Sequence, residues 1–140
     1  NLYAFLKESG RYTEPAWLAK QLAAVEHPTP LIVEAALATD ESQRSALCTA
    51  TIDLFISILG NEAGNLAMKI MATGGIYIGG GIPPRILSRL KKGKLLNALQ
   101  SKGRFSQILQ KIPIKVIMNT NAALLGATFY GLHQLEIKHA

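Results

Sequence analysis

An α/β fold, rich in helix and carrying an incomplete parallel sheet, is what this sequence of 140 residues predicts, on three observations. Two short β-branched runs, Ile76-Tyr77-Ile78 and Ile114-Lys115-Val116-Ile117-Met118, are separated by a helical stretch, the spacing of parallel neighbours joined by a crossover. A long pattern of helical period precedes them. Three glycines follow the first run directly, in the order strand, turn, helix start. Two parallel strands do not make a stable sheet by themselves, so further strands are expected from elsewhere.

The elements follow in order. Leu2-Tyr3-Ala4-Phe5-Leu6 reads as a short helix ended by Ser9-Gly10, since glycine accepts the left-handed conformation past a helix end. A second helix fits Pro15 to about Val25, and His27-Pro28-Thr29-Pro30 then breaks the chain before a brief helix over Leu31–Leu37. Asp40 with Gln43 resembles a capping box, and Ile52, Phe55, Leu59, Ala63, Leu66 and Ile70 recur at helical steps, predicting a long helix from about Asp40 to Ala72. Gly60 and Gly64 on that helix permit close approach by a neighbouring backbone. Thr73-Gly74-Gly75 stops it, and Ile76-Tyr77-Ile78 runs into Gly79-Gly80-Gly81 and then Ile82-Pro83-Pro84. Helix resumes with interruptions through Leu95–Leu99, turns at Gly103, and gives way to the second strand. Asn119-Thr120-Asn121 is a polar turn with an N-cap, and Ala122 to about Glu136 is the last helix.

Composition narrows the chemistry. Hydrophobic residues make up 49% of the chain and charged ones 17%, which suits one ordinary core rather than disorder. A single cysteine, Cys48, supplies neither a disulfide nor a structural zinc site and favours a reducing, cytoplasmic setting; inside an apolar helix it is an inert thiol. His27, His133 and His139 are scattered without metal-ligand spacing, so no metal residues are assigned. No secretory leader opens the sequence, and no apolar run approaches the roughly 20 residues of a bilayer span. An opening at Asn1 is compatible with processing or with excision from a longer chain.

The net charge of +6 is unevenly spread. Residues 1–62 carry four basic and eight acidic side chains, whereas residues 63–135 carry ten basic and no acidic ones. Nine of those cations, Arg85, Arg89, Lys91, Lys92, Lys94, Lys102, Arg104, Lys111 and Lys115, fall within thirty-one residues. Such a block suits nucleic acid, an anionic membrane surface or the phosphates of a nucleotide; a solvated helix face explains it equally well. Phe105 is its one aromatic between Arg85 and Lys115, which serves base stacking poorly.

Gly79, Gly80 and Gly81 after a strand are candidates for nucleotide contact, because residues without Cβ let a base or phosphate approach the backbone. They fit neither GxGxxG nor GxxxxGK[ST]. Phosphoryl transfer requires carboxylates near the phosphates, yet none stands between Glu62 and Glu136, Asp40 reads as a cap and Asp53 as a polar helix position, so no catalytic residue is assigned.

Taken together, Gly60-Asn61-Glu62-Ala63-Gly64-Asn65-Leu66-Ala67, Thr73 to Pro84, Lys102-Gly103-Arg104-Phe105 and Asn121-Ala122-Ala123-Leu124-Leu125-Gly126-Ala127 resemble the C-terminal portion of bacterial glucokinase. The resemblance spans nearly the whole chain. It implies the helix-rich C-terminal part of an actin-like, ribonuclease H-like ATPase domain, with a helical segment over about 1–72 and a nucleotide-side strand and helix segment over about 73–140. The activity it implies is transfer of the γ-phosphoryl group of ATP, with Mg²⁺, to the 6-hydroxyl of glucose in glycolysis. Gly79, Gly80 and Gly81 then correspond to the adenosine motif, and Ala122, Ala123, Gly126 and Ala127 to a helix connecting two domains; Ala123 stands where the family pattern has glycine. The phosphate loops, catalytic aspartate and sugar-binding residues of the family precede the matched region, so the chain is expected to be a fragment that is inactive alone. Gly80→Val in the longer protein is expected to raise the KM for ATP more than that for glucose. Expected partners are glucose and ATP in the complete enzyme and a second copy of the chain, as homodimer or self-associating fragment, with no nucleic acid and no membrane. The competing readings are a small basic nucleic-acid-binding domain and a non-catalytic dimerisation domain.

Overall fold

The computed structural model describes residues 1–138, with side chains through residue 134. His139, one of the three histidines above, lies outside the described residues.

Three short helices open the chain: α1 (Leu2–Glu8), α2 (Ala16–Ala23) and α3 (Thr29–Leu37). Asn1 caps α1 by accepting from the Ala4 N–H, and Gly10, at φ 68°, turns the chain away from it. The α1–α2 link is fastened by Glu14, which accepts from Tyr3 Oη at 2.7 Å and from Lys7 Nζ at 2.6 Å.

The long helix α4 (Ala46–Ile70) is shorter than its periodicity predicts and begins six residues later. Asp40 does not cap it: Asp40 Oδ1 accepts from the Ser42 N–H at 2.9 Å and closes a local turn. The cap is Ser45, buried, whose Oγ accepts from the Cys48 N–H at 3.3 Å while its own N–H donates to Ala35 O at 2.9 Å. The far end closes at Met71, a left-handed residue at φ 50°, before the predicted Thr73-Gly74-Gly75. At 25 residues α4 spans about 37 Å, and by length and composition it could cross a bilayer, contrary to the expectation that no segment reaches that size. One flank of it is nevertheless core: Leu47, Cys48, Ile52 and Ile56 are buried, and the helix packs against α1, α3 and the crossover between the two strands.

The sheet has two parallel strands among the described residues, β1 (Ile76–Ile78) and β2 (Ile114–Val116), in the register Ile76 to Ile114, Tyr77 to Lys115 and Ile78 to Val116. Alternation sends Ile76, Ile78, Ile114 and Val116 toward the core and leaves Tyr77 and Lys115 outside, the lysine Nζ 5.5 Å from the tyrosine ring centroid. The crossover consists of α5 (Ile82–Arg85), α6 (Leu87–Leu90), α7 (Lys94–Gln100), a 3₁₀ turn at Gly103–Phe105 and α8 (Ser106–Leu109).

The most extensive packing is α4 against α7, and two glycines make it possible. A Cβ on Gly60 would lie 2.5 Å from Leu95 O, and one on Gly64 would lie 2.5 Å from Leu99 O, so the expected close approach is a backbone-on-backbone contact. The main core runs across both predicted segments, from Leu18 and Ile32 to Ile78, Ile86 and Leu95; a smaller cluster joins Ala67, Leu99, Leu109 and Ile112. Among the residues whose side chains are described, the last helix, α9 (Ala122–Lys138), contributes to neither, and its Leu124, Leu125, Phe129, Tyr130 and Leu132 are all exposed.

Candidate functional site

The strand, glycine turn and helix start occur as the sequence predicts. Ile78 is buried and holds the end of β1, its carbonyl accepting from the Ile117 N–H at 2.9 Å. Gly79, Gly80 and Gly81 are then all exposed. Each behaves differently. A Cβ on Gly79 would make ordinary contact with Ile117 Cδ1 at 3.4 Å; Gly80 sits at φ 110°, where any side chain strains the backbone; Gly81, at φ −77°, caps α5 in an ordinary helical conformation. No atom lies within 4 Å of a Cβ built on Gly80 or Gly81, so the turn opens onto free space.

These angles change the proper test of the site. Gly80→Val would strain the chain whatever it did to a ligand. Gly81→Ala adds a methyl where the backbone accepts one.

The sequence that follows the turn is cationic. Arg85 ends α5 and is exposed, and no carboxylate follows Glu62 until Glu136. The acidic residues that could serve chemistry are mostly held elsewhere: Glu14 by Tyr3 and Lys7, Asp40 by Ser42, Glu41 by Arg44, Glu62 by the Asn65 amide, and Asp53 by two cations. Hydrogen bonds from Lys7 and Tyr3 hold the Glu14 carboxyl below the usual carboxylate range. Burial pushes the Cys48 thiol up, in keeping with its inert reading. Among the described residues no group of three or more His, Cys, Asp and Glu side chains could hold a metal ion.

The basic block does not form one free patch. Arg89 donates to Asp53 Oδ1 at 3.2 Å, Thr49 Oγ1 at 3.2 Å and Ala36 O at 3.3 Å, and Lys94 donates to Asp53 Oδ2 at 2.7 Å. Lys102 donates to Asn61 Oδ1 at 3.3 Å and Asn65 Oδ1 at 2.8 Å, and Arg104 lies 5.3 Å from the Phe105 ring centroid. Sequence reasoning missed the Asp53 cluster, placing Arg89 in the basic block and reading Asp53 as a polar position on the long helix. A signal was present: Asp53 adjoins Ile52 on the apolar stripe of α4, and Arg89 falls between Ile86 and Leu90, both buried, so each charge sits beside core positions and needs a partner.

Two clefts lie apart from the turn. One of about 640 Å³ runs between α2 and α3, lined by Trp17, Gln21 and Glu34 among others. An apolar one of about 370 Å³ lies between the end of α4 and α8, with Met68, Phe105 and Ile108 on its walls. Gly79, Gly80 and Gly81 line neither.

A family model described as Glucokinase matches residues 1–134 of the chain. The glucokinase of Caulobacter sp. (strain K31) is 43% identical over 96 residues, covering 69% of this chain and 28% of that protein. The glucokinase of Photorhabdus laumondii subsp. laumondii is 33% identical over 122 residues, covering 86% of this chain and 38% of that protein. A crystal structure of glucokinase from an Antarctic psychrotroph is similar with a TM-score of 0.64 and 29% identity, covering 91% of this chain and 35% of that one. The chain thus spans well under half the length of each of these relatives.

Proposed function

Because this chain belongs to the glucokinase family, we propose that it is the nucleotide-side portion of an enzyme that transfers the γ-phosphoryl group of ATP to the 6-hydroxyl of glucose, a step of glycolysis in the cytoplasm. The observation that carries the reading is the family match across residues 1–134. The glycine turn supports it locally, since the open space beside Gly80 and Gly81 and the lack of any carboxylate in the sequence between Glu62 and Glu136 suit an adenosine or phosphate group rather than a reacting acid or base.

In this reading the fold is part of an actin-like ATPase domain, and Gly79, Gly80 and Gly81 let the nucleotide lie against the end of β1. Mg²⁺ would neutralise phosphate charge in such a reaction, but the described residues offer it no ligand set, and none of them is assigned to it. The catalytic base and the sugar-binding groups belong to other parts of the longer protein. The exposed apolar residues of α9 then pack against those parts, beside the small residues Ala122, Ala123, Gly126 and Ala127.

A coupled assay for glucose 6-phosphate tests the reading. The longer protein carrying this segment should turn over glucose with ATP and Mg²⁺, while the 140-residue chain alone should not. Turnover by the chain alone at a rate near that of the longer protein would overturn it. Gly81→Ala in the longer protein should raise the KM for ATP about threefold to tenfold and leave that for glucose unchanged; equal changes in both would remove the turn from the nucleotide site.

A nucleic-acid reading finds less support, because Arg89, Lys94 and Lys102 are engaged within the chain. Titration with duplex and single-stranded DNA should give no micromolar, salt-sensitive binding.

A further inference from the structure

The glycine turn has little packing of its own. Space stands open beside Gly80 and Gly81, so their position is inherited from the two ends of the turn. One end is β1, fixed by the buried Ile78. The other is α5 and α6, two helices of four residues each that meet at Ile86. Helices this short have no intrinsic stability and depend on what fastens them.

Apolar contacts fasten part of this segment, since Pro83, Ile86 and Leu90 are all buried. Such contacts fix depth more than direction. The directional fastening comes from Arg89, whose planar guanidinium has donors in a fixed fork. It reaches Asp53 and Thr49 on α4 and the carbonyl of Ala36 in the last turn of α3, a group that has no partner within its own helix. The side chains of Arg89 and Asp53 are only 15% and 20% exposed, so this pair is little screened by solvent. Asp53 spends its other oxygen on Lys94 at the first turn of α7. One carboxylate on the core helix therefore ties down both helices that flank the Lys91–Gly93 bend.

We infer that Arg89 and Asp53 are positioning residues for the nucleotide, holding α5 and α6, and with them the Gly79–Gly81 turn, at the angle that receives ATP. The inference rests on the kinase reading. Neither residue touches the nucleotide; their effect passes through the backbone between Gly81 and Arg89.

The test is steady-state kinetics on the longer protein with Arg89→Met, Arg89→Lys and Asp53→Asn, each checked by circular dichroism and thermal melting. Arg89→Met should raise the KM for ATP by roughly threefold to tenfold with the KM for glucose within about twofold of wild type. Arg89→Lys keeps the charge but loses the fork, so it should fall between the two. Asp53→Asn keeps shape and should reproduce the Arg89→Met effect, and the double variant should add little to either, the signature of residues acting as a unit. Equal changes in the two KM values, or an ATP KM that does not move in folded Arg89→Lys and Asp53→Asn, would overturn the inference. If the wild-type protein shows no ATP-dependent phosphorylation, the kinase reading itself fails and takes this inference with it; normal wild-type kinetics with a responsive Gly81→Ala but silent Arg89 and Asp53 variants sinks the inference alone.

Discussion

Gly60 and Gly64 each cost α4 about 1 kcal/mol of helix propensity relative to alanine. Their retention makes sense only against α7, where the carbonyls of Leu95 and Leu99 occupy the space a methyl group would need. A clash of that kind with rigid backbone costs more than the propensity returns, so Gly60→Ala should lose a net 1–2 kcal/mol, roughly, through overpacking. Urea denaturation would show a lower midpoint at unchanged slope; a midpoint that rose would mean α7 moves aside without penalty. Gly81→Ala is the contrast, since its methyl meets nothing and stability should not change. Cys48 offers a second check at this scale. Fully buried and with its thiol pushed up by burial, it should resist a thiol reagent in the folded chain and react fully in urea.

Each joint between elements has its own chemistry, and the α1–α2 joint carries a pH dependence. Glu14 is held below the usual carboxylate range in the folded chain, so its contribution is complete above that range and is lost as pH falls through the lowered value. Glu14→Gln should therefore destabilise the chain at neutral pH and matter progressively less below about pH 4, as read from urea midpoints across that range. A constant difference at every pH would show that the carboxylate charge is irrelevant. Tyr3 works in the opposite direction: burial first, and then its bond to Glu14, raise its phenol, so its contribution is present at neutral pH and is lost in strong alkali. Most element positions were legible in the sequence because glycines, prolines and β-branched runs act locally. The start of α4 was not. Asp40 and Gln43 have capping-box spacing, yet the Asp40 carboxylate is consumed by Ser42, and Ser45 becomes the cap through a contact with Ala35 on α3 that no local pattern reveals. The same limit applied to side-chain contacts: the Gly79–Gly81 turn is contiguous and was readable as a turn, whereas Asp53 and Arg89 stand thirty-six positions apart and meet only after folding.

At the scale of the whole molecule, large apolar side chains are exposed along the chain, from Phe5 through Ile70 and Ile108 to α9. The exposed Leu124, Leu125, Phe129, Tyr130 and Leu132 of α9 and the two-stranded sheet leave faces that water disfavours. The isolated chain should self-associate as its concentration rises, and light scattering that shows a monomer across a wide range would count against it. The parallel pairing of β1 with β2 bears on something else, the order in which the chain assembles. Those strands can meet only after the entire α5–α8 crossover has been drawn together, and closing so long a loop costs entropy before the short ladder returns any of it. Docking of α7 on α4 inside that loop brings the ends closer, so the helical pair should fold first and the sheet last. Pulsed hydrogen exchange during refolding would then find the amides of α4 and α7 protected while those of Ile76 and Ile117, which bond to Pro113 and Ile78, still exchange.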